Sequence, residues 1–290
     1  FPLLRGRHVK PYRTEWDGTY QIVVGLGDHV TLREEYPALF RYLSNFKEAL
    51  SARGQCQYSR SRADNSTTSY PGQHHWLELD NNPSPDYFER LKEPKIIYPV
   101  ITKWLGFYLD RNDHYFPNNK AFTITSRGAP LEYLCAFLNS SIFRCAFKEN
   151  FPTQGEDRRE LRKVFFKQIP VQLPKPSQAA LFKTLVPLVQ FAKAQEADTA
   201  SSILIELIDA CVMECYFHEH MAERDLLLIG DLIPQLDRYD PDASAPKQHD
   251  FLEPFHCALN ANGSKIRSRL DRICKDSSDL LAVIKEEGKV

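Results

Sequence analysis

Apolar residues along this chain follow two different rhythms, and each predicts its own kind of element. Leu39, Leu43, Phe46 and Leu50 recur at helical spacing with Arg41, Lys47 and Glu48 between them, which predicts a helix over 35–53 with Pro37 in its first turn. Before it, residues 1–32 read as short strands and turns, with the apolar run Gln21-Ile22-Val23-Val24 stopped by Gly25 and Gly27. Residues 54–75 lose all periodicity and read as a long polar loop; inside a compact domain, loops of such length are usually functional or disordered. Strands are predicted at 95–101, 104–109 and 121–126, and an apolar helix at 130–147 through Leu131, Leu134, Cys135, Leu138 and Ile142. A polar, basic segment at 151–163 leads to Phe165-Phe166 and then to three prolines between Pro170 and Pro176, a stretch expected to run extended. Everything beyond is helical: 178–195, 200–218 and 221–233, then a linker near 239–250, then about 251–260 and 264–287. The expected fold class is a mixed α/β (α+β) domain over 1–172 followed by an all-helical domain over 177–290.

Composition narrows the class. Of 290 residues, 42 % are hydrophobic and 26 % charged, a globular balance with enough apolar material for a large core. No apolar run reaches the roughly 18 residues of a membrane-spanning helix, so no membrane partner is expected. Seven cysteines without a CxxC pair read as reduced thiols, and the expected compartment is cytoplasmic. The chain opens on Phe1-Pro2-Leu3-Leu4 without an initiator methionine and is expected to be an excised fragment, with chemistry upstream. Charge is uneven: residues 1–175 carry 25 Lys/Arg against 19 Asp/Glu, whereas residues 176–290 carry 12 against 19. The two parts are therefore expected to meet different partners.

Motifs for catalysis are weak. Gly25-Leu26-Gly27-Asp28 could be a cofactor-binding turn, but no βαβ pattern follows, and a strand-ending turn explains it. Asn82-Pro83-Ser84-Pro85 approaches the Asn-Pro-Pro-aromatic motif of amino-methyltransferases with the second proline and the aromatic displaced, and reads as a turn. Asp86, Glu93 and Lys95 mimic a magnesium nuclease at very short spacing, leaving a cryptic nuclease as one alternative. Cys211, Cys215 and His218 sit at i, i+4 and i+7 on one predicted helix and could face a metal, but the same helix carries Ile203, Leu204, Leu207, Ile208 and Val212, which favours core packing. No catalytic and no metal residue is assigned. Recognition chemistry remains: Arg60, Arg62, Asn65, Gln73, His74 and His75 crowd one loop with the donors and acceptors that base edges require. Arg158, Arg159, Arg162 and Lys163 form a second cluster suited to phosphates. On composition alone, both remain open between DNA contact and solvated surface.

Seven segments in order then resemble a known family. They are Pro2 to Tyr12 (PLLRGRHVKPY), Tyr36 to Leu50, His75-Trp76-Leu77-Glu78-Leu79, Lys95-Ile96-Ile97-Tyr98-Pro99, Asn118-Asn119 with the strand at 121–125, Leu134 to Ser140, and Phe165 to Pro170. Together they resemble the TaqI-like C-terminal specificity domain of adenine-specific DNA methyltransferases and type IIG restriction–modification enzymes. The likeness covers most of residues 1–175, and Ile208 to Asp231 is similar to the helical tail of such enzymes. This chain departs from the family in a longer 54–75 loop and in lacking the catalytic half. The resemblance implies a DNA-reading module, non-catalytic by itself, whose partners are double-stranded DNA and an upstream methyltransferase domain. That domain would hold S-adenosylmethionine; no cofactor is expected in this part. Arg60, Arg62, Asn65 and His74 are the expected base readers; Arg158, Arg159, Arg162 and Lys163 are the expected phosphate grips. Arg5, Arg7, Asn118, Asn119 and Arg127 are further possible contacts, with Arg5 and Arg7 open between phosphate binding and structural pairing. Trp76 is expected to anchor the loop rather than wedge bases. A second alternative assigns the acidic helical part to protein assembly, docking a catalytic or restriction subunit.

Overall fold

The computed structural model describes residues 1–57, 70–81, 84–155 and 157–286, which gather into two compact units, Phe1–Pro2 with Thr19–Glu93 and Leu3–Gly18 with Pro94–Val290. The first unit holds α1 (Leu32–Glu35), α2 (Pro37–Ser44), α3 (Lys47–Ser51), α4 (Gly54–Gln57) and α5 (Pro85–Lys92). The single helix expected over 35–53 is thus broken twice. Tyr36 precedes a proline, which disfavours helical geometry, and sits at φ −131°, ψ 61°. At the second break the Ser44 hydroxyl donates back to the Phe40 carbonyl at 2.7 Å, and Phe46 leaves the helical region at φ −109°, ψ 11°. Leu39, Phe40 and Leu43 still line one face, packing on buried Val24, Leu32 and Leu77, while Phe46 is exposed. Pro85, read from sequence as part of a turn, is the first residue of α5.

The second unit begins with β1 (Leu3–Leu4), a 3₁₀ turn at Gly6–His8, and the hairpin of β2 (Val9–Lys10) with β3 (Arg13–Thr14). Its main sheet has β4 (Lys95–Pro99) at the centre, with the later strands β6 (Tyr108–Asp110) and β8 (Ala121–Ile124) antiparallel on either side. Between them lie β5 (Ile101–Thr102), which pairs with β9 (Arg159–Glu160), and β7 (Phe116–Pro117), which runs parallel to β1. Every residue of β4 is buried, as befits a strand covered on both faces. Its first residue, Lys95, stands opposite Asp110 in the register, and the two side chains, each 1 % exposed, form a 2.7 Å ion pair. Asp110 also accepts from the backbone N–H of Asp113, His114 and Tyr115, so one buried carboxylate both neutralises the strand and ties down the turn that follows.

The apolar helix expected over 130–147 divides at Ser140 into α6 (Leu131–Asn139) and α7 (Ser141–Asn150), because the Ser140 hydroxyl caps α7 by accepting from the Phe143 N–H. After α8 (Lys163–Phe166), residues 170–175 carry no regular structure, and α9 (Pro176–Ala194) and α10 (Asp198–Tyr216) follow. The core is continuous across that extended stretch: Phe137 and Tyr133 join Phe182, Leu185, Leu204 and Leu207 in one cluster. Polar bonds cross it too. Asp209 of α10 caps α7 through the Ser141 N–H, Gln190 of α9 donates to the Leu109 carbonyl, and Tyr133 and Tyr216 hold Gln172 from its two backbone groups. Buried Glu214 accepts from the Leu228 and Ile229 N–H groups and so starts α12 (Ile229–Leu236), beyond the short α11 (His218–Glu223). The chain continues through α13 (Ala245–Asn260), α14 (Lys265–Asp276) and α15 (Ser278–Glu286). The architecture is α+β followed by helices, and among the described residues no helix is long and apolar enough to cross a membrane.

Candidate nucleic-acid interface

In the first unit, the described residues on either side of 58–69 are tied together in a clamp. Arg53, at the end of α3, is its hub: it donates to the carbonyls of Leu50, Trp76 and Glu78 and pairs with Asp80 at 3.2 Å. Gln55 in α4 accepts from the Gln73 and His74 N–H groups on the returning segment. Gly72 permits that approach, since a Cβ there would lie 2.3 Å from the Cys56 carbonyl carbon and the Gln55 oxygen. Deeper in, the carboxylate of Glu78, only 1 % exposed as a residue, accepts from the N–H groups of Gly27 and His75 and meets His29 Nδ1 at 2.6 Å. The Gly25–Asp28 turn is therefore used to cradle a buried side chain of the chain itself. His75 stacks on His29 with ring centroids 4.2 Å apart, and burial, aided by His29, holds its imidazole below the usual histidine range. Trp76 packs on Phe40 under the Lys47 ammonium and belongs to the apolar cluster of this unit.

Among the expected base readers, Arg60, Arg62 and Asn65 lie outside the described residues. His74 is described: its side chain is largely buried, and Nδ1 lies 3.8 Å from the Glu78 carboxylate. The four residues of the phosphate cluster share one segment of the second unit but differ in freedom. Arg158, Arg162 and Lys163 are exposed, with Arg162 paired to Glu160 at 2.7 Å. Arg159 is built into the fold: it donates to the Phe151 carbonyl at 2.6 Å and lies over the Phe147 ring. Arg5 pairs with Asp17 at 3.3 Å, whereas Arg7 is 70 % exposed and 3.9 Å from the same carboxylate. Asn118 turns the chain between β7 and β8, its side chain accepting from the Lys120 N–H, while Asn119 and Arg127 are exposed.

Lys95 and the cysteines of α10 are otherwise occupied. The Lys95 ammonium is held by Asp110 in the sheet. Cys211 is fully buried in α10, and burial raises its thiol and that of Cys215, the latter to about 12, which disfavours the thiolate that a metal requires. Among the described residues, no group of three or more metal-ligating side chains comes together. Sequence reasoning missed Lys103 and Trp104. It placed Trp104 at the start of a strand over 104–109, yet strand geometry begins only at Tyr108, and Trp104 stands 76 % exposed on the preceding turn. The legible signal was Gly106, two residues after a Lys-Trp pair, where a turn is easier to form than a strand.

Residues 1–171 match the TaqI-like C-terminal specificity domain, more than half of the chain, and the protein belongs to that family. A specificity domain of this kind serves DNA target recognition in methyltransferase-type enzymes. A search of curated proteins finds no match to the chain.

Proposed function

We propose that this chain is the sequence-reading part of an adenine-specific DNA methyltransferase of the type IIG restriction–modification kind, acting on double-stranded DNA in the bacterial cytoplasm as part of defence. The observation that carries the reading is the family match over residues 1–171, and the clamp around residues 58–69 supports it. The flanking residues, tied together through Arg53, Gln55 and Gly72, suit a fixed platform, and residues 58–69 are rich in the Arg, Asn, Ser and Thr side chains that reach base edges. In this reading Arg60, Arg62 and Asn65 read bases, and His74, tucked beside Glu78, sets the foot of the reading segment and approaches the bases from there. Arg158, Arg162 and Lys163 grip phosphates, with Arg159 holding their segment in place. Arg7, Asn119 and Arg127 supply further contacts, while Arg5 and Asn118 shape the turns that carry them. Methyl transfer belongs to an S-adenosylmethionine-binding domain that works with this chain, and the acidic helical part docks on it. The chain itself binds no cofactor and performs no catalysis.

The test is the salt dependence of duplex binding by fluorescence anisotropy. Replacing Arg158, Arg162 and Lys163 with Ala should weaken all duplexes alike and lower the log–log slope by about one for each lost phosphate contact. An unchanged slope removes these three from the interface, and a chain that binds no duplex removes the reading itself.

A further inference from the structure

Trp104 forms the common wall of two grooves in the second unit. On one side the lining includes Arg7, Lys10 and Lys120; on the other it includes Lys103, Arg144 and Lys148, and neither lining contains a carboxylate. The indole between them is 76 % exposed. An exposed tryptophan of a soluble unit is commonly covered by a partner, and six cations around it select a polyanion over an apolar protein surface. Among the described residues, exposed pairs at a distance join Glu15 with Lys10 at 3.4 Å, Asp157 with Lys103 at 3.5 Å and Asp17 with Arg7 at 3.9 Å. Such surface pairs are worth little and yield to a phosphate.

The ridge is built, not incidental. The Thr102 hydroxyl accepts from the Trp104 N–H at 3.2 Å and donates to its carbonyl at 2.5 Å, fixing the backbone on both sides of the ring. Thr102 itself is registered by β5 against Arg159 of β9. The first groove exists because Gly6 lets its turn touch the Lys120 backbone; a Cβ at Gly6 would lie 2.1 Å from the Lys120 oxygen. Lys103 Nζ sits 5.7 Å from the indole centroid, a charge poised over the ring.

We infer, resting on the DNA-binding reading above, that Trp104 is a wedge that enters the minor groove of a duplex. Arg7, Lys10 and Lys120 take the phosphates of one strand, and Lys103, Arg144 and Lys148 take those of the other. The minor groove, about 6 Å wide, matches a ridge one side chain thick, whereas the major groove, about 12 Å wide, takes a whole helix or ribbon. An aromatic ring inserted there unstacks a base step and kinks the duplex. That deformation would help any partner domain that must extrude a base from the stack.

The test uses the whole chain and an A·T-rich duplex carrying 2-aminopurine at a TA step, the step that opens most easily. Binding of the wild type should raise 2-aminopurine fluorescence, and the minor-groove drug netropsin should displace the protein. Trp104→Ala should keep the melting temperature, because the ring is exposed. It should weaken duplex binding about tenfold, the scale of one lost stacking contact, and abolish the fluorescence rise. Lys120→Ala with Arg144→Ala should lower the salt slope by about two. If Trp104→Ala binds and unstacks DNA like the wild type, or if netropsin has no effect, the wedge is wrong while the specificity reading stands. If Trp104→Ala abolishes self-association in sedimentation and leaves DNA binding intact, a second copy covers the ridge and the inference falls. No duplex binding by the wild type overturns both readings.

Discussion

Replacing Asp110 with Ala leaves the buried Lys95 ammonium without its carboxylate in the middle of the main sheet. Both side chains are 1 % exposed and their charged atoms are 2.7 Å apart, so water cannot take over the lost partner. Removing one member of a buried pair costs about 3–5 kcal/mol, because the other charge stays desolvated. The same carboxylate also satisfies three backbone N–H groups at Asp113, His114 and Tyr115, so the effect belongs at the upper end of that range. At about 2–4 °C per kcal/mol for a unit of this size, the melting temperature should fall by roughly 10 °C or more. Urea unfolding followed by tryptophan fluorescence should show a lower midpoint with the same slope. Lys95→Met combined with Asp110→Leu removes both charges and should be less destabilised than Asp110→Ala alone, despite losing the turn's acceptor. Lys95→Met and Asp110→Leu each within about 1 kcal/mol of the wild type, or a double variant equal to the sum of those two singles, would refute the claim that this pair is coupled in the core.

Arg53→Ala should cost about 2 kcal/mol in the first unit by stripping the Trp76 and Glu78 carbonyls of their donor, and Arg53→Lys should not restore it, since an ammonium cannot span the same acceptors; differential scanning calorimetry of both variants checks this. The first unit should also lose stability in acid. His75 is held below its usual range in the folded chain, mainly by burial, so as pH falls through about 6.5 the unfolded chain takes up the proton first. Stability is full above that pH and declines below it; His75→Gln should flatten the decline between pH 7 and 5, and an unchanged profile would assign it to other groups. Ellman's reagent on the native chain should label Cys257 and Cys274, both exposed, well before buried Cys56, Cys135 and Cys211; rapid reaction of Cys211 would contradict its place in the core.

Periodicity carried much of the architecture because most elements bury one face. The helices over 176–194 and 198–216 were legible for that reason, and the strand at Lys95–Pro99, buried on both faces, as a short apolar run. Breaks within helices were not, because single polar side chains make them: Ser44 and Ser140 each bond to nearby backbone, a choice that hydrophobic spacing does not register. Nor did spacing reveal that the tail helices share a core with the sheet, which depends on long-range partners such as Gln190 with Leu109. In the candidate interface, clusters of basic residues were visible as charge, but their state was not. Arg158 and Arg159 are neighbours in sequence, yet one is exposed and the other is spent on a carbonyl. Trp104 was hidden by an expected strand, since a tryptophan in a strand is ordinarily a core residue.

Selection of bound duplexes from a random pool, sequenced after several rounds at near-physiological salt, decides whether this chain reads DNA sequence. An enriched motif is expected for the chain, with the choice of base relaxed at one position by Arg60→Ala, Arg62→Ala or Asn65→Ala, at a cost of about 1–3 kcal/mol for the preferred site. A chain that retains duplexes without any enriched motif, or a motif unchanged in all three variants, would contradict it.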